Sequence, residues 1–387
     1  MKKESTSPAL LFMLWTCGAS LRLTVWAIPP IIPIILQDLH LSGTELGLLY
    51  GVPAILFAIA ATPGSTLVAR VGVRSTLLTG LVIAAIGGAL RGVISNAWQL
   101  YLTSIVMSSG IAIMQPAMAA AVRAWIPERA AFGTAVYTNG LMVGQVIPVA
   151  TMLPLVLPHL ESWRLALGIW SIPLVGTAIL VAILHPRSTT HAIIAHPVRW
   201  LPEWNSSLNW RIGLILGSVI STFFCMNGFL PAYLKETGHS ELISTALTAL
   251  NLGQIPTSLL LLLAADKIQG RRWPYLLFGP LFTGSLIGIM SSASYWTVFW
   301  VALVGATAGA ALALGLALAP LLCRHPEDVA RTTAAALAIS WSFAMLISFL
   351  SGGAWDLAGN VNAALIPIFL GTLPISILAP TLTLRRS

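Results

Sequence analysis

The stretch from Arg22 to Pro33, RLTVWAIPPIIP, lies in the middle of the first long apolar run of the chain. Residues 9–36 hold one charge among 28 positions, and about 20 apolar residues are enough to cross a bilayer. The sequence therefore predicts a membrane span with Arg22 near its midpoint. A central arginine costs roughly 2.5 to 3.5 kcal/mol on insertion scales, so an ionisable group at this depth indicates a functional site. The alternative is an arginine that pairs with helix carbonyls or snorkels to the headgroups, a distance of roughly 15 Å.

Three prolines follow Arg22 in the same span. Pro29, Pro30 and Pro33 remove three backbone donors from its outer half. Breaks of this kind are tolerated inside a membrane where other groups or a water-filled cavity satisfy the freed carbonyls. A charged side chain beside a broken helix therefore predicts that this span lines a cavity.

The composition is that of a polytopic membrane protein. Of 387 residues, 57% are apolar and 8% are charged, and the apolar runs recur along the whole chain. The first run is too long for the core of a cleaved signal peptide, which predicts a retained first helix. The three cysteines, Cys17, Cys225 and Cys323, lie in apolar runs, where packing is favoured over disulfides.

Twelve membrane spans are predicted from the apolar runs between charged or Pro/Gly-rich breaks. Twelve spans place both termini on one side of the membrane. If that side is the cytoplasm, sixteen Lys and Arg residues fall in inner segments and two in outer segments, which agrees with the positive-inside rule. The net charge of +8 then needs no nucleic-acid partner. The predicted spans are 9–36, 46–69, 75–94, 98–122, 131–157, 165–185, 211–234, 242–264, 274–292, 296–322, 331–354 and 361–382.

Two pairs of matching sequence positions indicate an internal duplication. Gly72 in ARVGVR matches Gly270 in DKIQGRR at an offset of 198, and a Pro-Glu pair at 127–128 matches a second pair at 326–327 at an offset of 199. Both matches fall in inner loops, after the second and fourth spans of each half. They predict a duplicated six-helix unit in parallel orientation, and such repeats place a substrate site at mid-membrane between the halves.

The predicted domains follow from this duplication. The longest polar break, 186–210, falls at the middle of the chain. We therefore expect an N-terminal six-helix half at 1–186, a cytoplasmic linker at 187–210 and a C-terminal six-helix half at 211–387.

Six plus six spans, a long central inner loop and basic Gly-Arg loops after spans two and eight resemble the major facilitator superfamily. The second-half loop, D-K-x-x-G-R-R at 266–272, keeps the acid, base and glycine of the loop signature of that family with one extra residue. In the first-half loop, Ala69 stands where the usual Asp precedes Arg70, so a gating salt bridge that uses this Asp is not expected there. The resemblance implies gating loops that contain Arg70, Arg74, Asp266, Lys267, Arg271 and Arg272.

Within this superfamily, several segments resemble the cyanate permease and nitroimidazole transporter group. They are Arg22 with Pro30 and Pro33, GGALR at 87–91, GIAIMQPAM at 110–118, FLPAYLKETG at 229–238 and LNLGQ at 250–254. Two departures are Leu23, where that group tends to have Pro, and Ser20, where it tends to have Asn. The resemblance implies a monomeric secondary transporter of the bacterial cytoplasmic (inner) membrane. Its expected substrate is a small, cyanate-like anion, and the departures leave the identity of that anion open.

Only two basic residues, Arg22 and Arg91, lie in the interior of the predicted spans, and all 12 acids fall in loops or at span ends. A buried charge needs a partner, so the natural partner of Arg22 is a ligand anion, which the planar fork of arginine meets with paired donors. Arg91 lies near the outer end of its span, where snorkelling is the favoured interpretation. The second hypothesis for Arg91 is an outer lip of an anion path.

Five further residues complete the predicted substrate site. Trp26 lies one turn from Arg22, and Asn251 and Gln254 are three apart, so they share a helix face. Each polar group alone is more often a contact between helices than a ligand contact, but spans one, four, five and eight face the central path in the fold that this chain resembles. The predicted substrate-binding residues are Arg22, Trp26, Gln115, Asn139, Asn251 and Gln254.

Other function classes find less support in the sequence. The chain has no phosphate-binding loop, and its seven histidines lie at span ends or in loops without metal-ligand spacing. We therefore expect a non-enzymatic protein without metal or cofactor, whose partners are the lipid bilayer and a small anionic substrate. A proton-coupled exporter of small amphipathic or heterocyclic compounds, the main alternative, would need a membrane-embedded Asp or Glu. A polytopic sensor or membrane enzyme would need more soluble sequence than the linker of about 25 residues provides.

Overall fold

The computed structural model describes residues 7–59, 61–184, 204–268, 271–292, 295–323 and 326–382. Throughout these ranges, the secondary-structure elements are helices. Nine of the described helical segments are long and apolar enough to cross a membrane, and Pro8–Ser20, Pro29–Leu39 and Gly43–Ile59 are shorter apolar helices. The predicted all-helical membrane fold is confirmed, and the count of twelve spans stays a prediction. Residues 187–203 of the predicted linker lie outside the described residues.

The helices are numbered in chain order. The first sequence half contains α1 Pro8–Ser20, α2 Ile32–Leu39, α3 Gly43–Ile59, α4 Ala61–Leu90, α5 Ala97–Trp125, α6 Ala130–Thr151, α7 Leu157–Leu160, α8 Trp163–Gly168 and α9 Ser171–Ile183. The second contains α10 Ser207–Glu236, α11 Ile243–Leu252, α12 Gln254–Ile268, α13 Trp273–Ser291, α14 Tyr295–Leu316, α15 Leu318–Leu322, α16 Pro326–Ala358, α17 Leu365–Gly371 and α18 Leu373–Leu378.

The first span is broken where the prolines predict a break. Helix α1 ends at Ser20, residues 21–27 form turns, and a short 3₁₀ helix at Pro29–Ile31 leads into α2. Pro29 and Pro30 have no N–H to offer the carbonyls of the preceding turn, and the residue before a proline avoids the helical conformation. The break lies on the N-terminal side of the prolines, so Arg22 lies inside the unwound stretch 21–28.

A single glycine interrupts α4 where the sequence predicts the inner loop between spans two and three. Gly72 has φ 83° and ψ 165°, outside the helical region. Side chains with a Cβ rarely adopt this φ, so the glycine permits the turn between the two parts of α4.

The described residues pack as two compact units. The first lies within Met1–Ile28 and Ile59–Val198, and the second within Pro29–Ala58 and Arg199–Ser387. This division differs from the predicted halves because residues 29–58 pack with the second unit. The predicted halves concern a duplication of sequence, and they stay a prediction.

Helix α1 packs closely against α6 in the first unit. A Cβ at Gly140 would collide with the carbonyl oxygen of Trp15, and one at Gly144 would collide with that of Ala19. Small residues let helix backbones approach in this way. The two glycines therefore let the backbones of α1 and α6 come into direct contact.

Helix α3 packs against α16 in the second unit. The carboxylate of Asp356 accepts hydrogen bonds from the backbone N–H groups of Gly43 at 2.6 Å and Thr44 at 2.8 Å. Two turns earlier in α16, the Ser348 hydroxyl donates to the Gly47 carbonyl at 2.9 Å. Asp356 thus pairs two of the free donors at the first turn of α3.

Candidate functional site

Arg22 is held beside the indole ring of Trp26. The guanidinium carbon of Arg22 lies 4.6 Å from the ring centre of Trp26, and the Trp26 side chain is 2% exposed. The backbone N–H groups of Val25 and Trp26 donate to the Arg22 carbonyl at 3.1 and 3.0 Å, which makes a tight turn. This turn brings the ring back over the guanidinium, so the structure brings together these two predicted site residues.

The Arg22 guanidinium keeps its donors available. Among the described residues, it makes no hydrogen bond and no ion pair, and its side chain is partly exposed. The acidic residues whose side chains the structure describes lie at helix ends or between helices. An arginine in this position can offer a planar pair of N–H donors to a small anion.

The structure corrects the snorkelling interpretation of Arg91. Its side chain is 1% exposed and begins the 3₁₀ turn Arg91–Val93 after α4. Nη1 donates to the backbone carbonyl of Thr24 at 3.0 Å, and Nη2 donates to the Ser104 hydroxyl at 2.8 Å. Snorkelling fails because Nη1 and Nη2 donate to these two acceptors inside the first unit.

Two predicted polar residues of the first unit lie at exposed positions. Asn139 in α6 accepts a hydrogen bond from the Trp15 indole N–H in α1 at 2.9 Å. Gln115 is exposed in α5 and directly precedes Pro116. Asn139 therefore contacts α1, the helix that leads to Arg22.

The two predicted residues of span eight are buried in the second unit. Asn251 is 0% exposed and donates to Asn227 Oδ1 at 2.8 Å and to the Leu247 carbonyl at 2.8 Å. Gln254 is 7% exposed and begins α12, with Gly253 between it and the end of α11. The Asn227–Asn251 bond links α10 to α11, the contact between helices that such amides commonly make.

The gating residues are described in part. Arg74 donates through Nη2 to the Ala182 carbonyl at 2.7 Å, and Arg70 is exposed. Arg271 is exposed and Arg272 is partly exposed. The side chains of Asp266 and Lys267 lie outside the part of the chain that the structure describes. The gating role of these loops stays a prediction.

Three hydrogen bonds of the first unit were not predicted from the sequence. Thr24 and Ser104 accept the Arg91 hydrogen bonds, and Trp15 donates to Asn139. The serines at 104 and 108, one turn apart in an apolar helix, were the available signal for a buried polar contact. Across the described residues, no group of three His, Cys, Asp or Glu side chains is placed to hold a metal ion.

Comparison with known proteins shows the family. Residues 14–247 match the Major Facilitator Superfamily. The cyanate transport protein CynX of Escherichia coli (strain K12) is 25% identical over 354 residues, which are 91% of this chain and 91% of that protein. The 2-nitroimidazole transporter of Escherichia coli (strain K12) is 23% identical over 363 residues, which are 93% of this chain and 91% of that protein.

A solved structure shares the fold. The crystal structure of a mutant of the nucleoside transporter NupG matches with a TM-score of 0.75 at 12% identity, over 96% of this chain and 98% of that chain. At this identity the likeness concerns the fold alone. With its helical membrane fold, the chain belongs to the Major Facilitator Superfamily and is a multi-pass membrane transporter, not an enzyme.

Proposed function

We propose that this transporter moves a small, cyanate-like anion by alternating access and that Arg22 is the central anion-binding group. The observation that carries the proposal is the Arg22 guanidinium, which is partly exposed in an unwound stretch of the first span and has no described anionic partner. A charge at this depth is costly when it stays unpaired. A bound anion removes that cost.

The chemistry of arginine sets the class of substrate. Its fork of N–H donors stays protonated and matches carboxylate-like or linear anions with two parallel hydrogen bonds. In the present geometry Trp26 covers one face of the guanidinium at 4.6 Å, so the donor edge remains for the ligand. Cyanate, thiocyanate, nitrate, bicarbonate and formate are small enough and polar enough to use that edge.

Unwound membrane helices support the same proposal on general grounds. Transporters commonly bind substrate where a membrane helix is discontinuous. Helix α1 ends at Ser20 and helical structure resumes at Pro29, with Arg22 between them. The prolines maintain the break in the absence of ligand because they have no N–H to restore the helix.

Several predictions are part of the proposal. Gln115, Asn139, Asn251 and Gln254 contribute polar contacts to substrate. Both termini lie in the cytoplasm of a bacterial inner-membrane protein that works as a monomer, and the basic inner loops control the cytoplasmic opening. The distribution of sixteen inner and two outer basic residues supports this orientation.

A neutral or weakly acidic heterocycle is the second candidate substrate. The relative named as a 2-nitroimidazole transporter is 23% identical over 93% of this chain, close to the figures for the cyanate relative. The oxygens of a nitro group are hydrogen-bond acceptors that the donors of Arg22 can meet. Inhibition of anion uptake by 2-nitroimidazole distinguishes a shared site from a site for anions alone.

The experiment is uptake into proteoliposomes that contain purified protein. We expect saturable uptake of at least one of the five anions, no uptake by Arg22→Ala, and strongly reduced uptake by Arg22→Lys because lysine keeps the charge but loses the fork. Arg164→Met is the matched control, since Arg164 also lies over an indole ring, that of Trp163, at 4.5 Å. Wild-type rates in Arg22→Ala would refute the assignment.

A further inference from the structure

Arg91 reaches the stretch that carries Arg22. Its Nη1 atom is 3.0 Å from the carbonyl oxygen of Thr24, two residues beyond Arg22, and its Nη2 atom is 2.8 Å from Ser104 Oγ. Thr24 and Ser104 are each 1% exposed, as is Arg91. A charged donor therefore ties the unwound stretch to α5 inside the first unit.

The Thr24 carbonyl needs a donor from outside the stretch 21–28. In an unbroken helix it would accept from the N–H of Ile28, four residues on. Ile28 directly precedes Pro29, and a residue before proline avoids the helical conformation. The backbone bonds of the turn go instead to the carbonyls of Gly18, Ala19 and Arg22, and Arg91 supplies the donor at Thr24.

The other end of the link is anchored in a regular helix. The Ser104 hydroxyl donates to the Leu100 carbonyl at 2.6 Å within α5 and accepts the Nη2 bond. Because the single hydroxyl proton of Ser104 is directed at Leu100, the oxygen lone pairs of Ser104 can accept from Arg91. Charge-assisted hydrogen bonds of this kind are among the stronger ones in proteins, so the link can fix the position of Thr24 relative to α5.

We infer that Arg91 is a positioning residue for anion binding: by holding the Thr24 carbonyl, it fixes the unwound stretch so that the Arg22 guanidinium presents its donors to the substrate. The inference rests on the proposed function. Arg91 does not contact the anion, because its side chain is buried and two of its nitrogens already donate to Thr24 and Ser104. Arg22 and Arg91 thus have different tasks.

The first measurement is hydrogen exchange of the backbone amides of residues 21–28 in purified, full-length protein. Arg91→Met removes both hydrogen bonds while it keeps an apolar stem, and we expect faster exchange in this segment. Arg91→Lys keeps one charged donor and should restore part of the protection. Arg164→Met is the matched control, because Arg164 donates to the Ile94 carbonyl at 2.7 Å and lies over the ring of Trp163 at 4.5 Å.

The second measurement is the dissociation constant for cyanate of the same proteins. We expect Arg91→Met to raise it by about tenfold or more, the loss expected when one charged contact is misplaced. Arg91→Lys should lie between Arg91→Met and wild type, and Arg164→Met should match wild type. Ser104→Ala removes the bond to Ser104 and preserves the bond to Thr24, so it should raise the dissociation constant for cyanate by a smaller factor. This variant replaces Arg91→Met in the test if Arg91→Met does not fold.

The outcomes separate this inference from the proposed function. Unchanged exchange at 21–28 in both Arg91→Met and Arg91→Lys would overturn the positioning role. Wild-type affinity in Arg91→Met, with binding lost in Arg22→Ala, would overturn it as well. Wild-type affinity in Arg22→Ala, or no cyanate binding by the wild type, would overturn the proposed function. The exchange rates would then decide by themselves whether Arg91 holds the stretch.

Discussion

The Arg22 guanidinium carbon lies 4.6 Å from the centre of the Trp26 ring, while the Trp26 backbone N–H donates to the Arg22 carbonyl at 3.0 Å. The two residues therefore contact each other through side chain and backbone at once. Because Trp26 is buried, its ring is held in place by its neighbours and covers one face of the guanidinium. The free edge of that guanidinium is where we place the anion.

Replacing Trp26 should weaken anion binding without removing it. Desolvated cation–π contacts contribute about 2 kcal/mol, so Trp26→Leu should raise the dissociation constant for cyanate by up to about thirtyfold. Trp26→Phe keeps a ring and should have a smaller effect. Isothermal titration of the purified variants measures both constants. Equal affinities in wild type and Trp26→Leu would show that the ring does not orient Arg22.

Close packing of α1 on α6 should tolerate no side chain at Gly140. Gly140→Val places a branched side chain against the Trp15 carbonyl, and overpacking of this kind typically costs about 1–3 kcal/mol. We expect a lower melting temperature or loss of monodisperse protein. Gly176→Ala is the control, because a Cβ at Gly176 in α9 meets nothing within 4 Å. A wild-type melting temperature for Gly140→Val would contradict the close contact between α1 and α6.

Asp356 should stabilise the N-terminus of α3. It accepts from the N–H groups of Gly43 and Thr44, and loss of a helix cap costs roughly 0.5–2 kcal/mol. Asp356→Ala should therefore lower the melting temperature and speed hydrogen exchange at residues 43–46, and Asp356→Asn should do so less. The exposed Asp328 at the start of α16 provides the control, Asp328→Ala. Unchanged exchange at 43–46 would show that Asp356 does not cap α3.

Transport should not require a proton gradient. Described acidic and histidine side chains lie at helix ends or between helices, and arginine does not titrate near neutral pH. An empty site that holds Arg22 is costly to close into low dielectric, so return of the loaded carrier should be favoured and substrate on the trans side should accelerate flux. The assay is uptake at fixed membrane potential with a pH gradient and no substrate gradient. Sustained uphill accumulation of an anion that stays ionised would contradict this mechanism.

Sequence reasoning predicted the fold because membrane helices are encoded locally, by the length of apolar runs and by the side on which Lys and Arg accumulate. It predicted the break near Arg22 for the same reason, since Pro29 and Pro30 act on the backbone beside them. The contact between Arg22 and Trp26 was also within reach, because one turn separates them in the chain.

The burial of Arg91 could not be predicted from the local sequence. Its acceptors, Thr24 and Ser104, are 67 and 13 residues away in sequence, and depth in a span alone favoured snorkelling. Likewise, the spacing of Asn251 and Gln254 suggested one shared face, whereas the partner of Asn251 is Asn227 on a different helix. Contacts between helices depend on tertiary packing, which the local pattern of one sequence does not specify.

The central claim is that Arg22 binds the transported anion, and equilibrium binding tests it most directly. Isothermal titration of cyanate into purified wild type, Arg22→Ala, Arg22→Lys and Arg164→Met compares the four proteins under identical salt. We predict one site per chain in wild type and Arg164→Met, weaker binding in Arg22→Lys, and no detectable binding in Arg22→Ala. Folded Arg22→Ala protein that binds cyanate with wild-type affinity would contradict the claim.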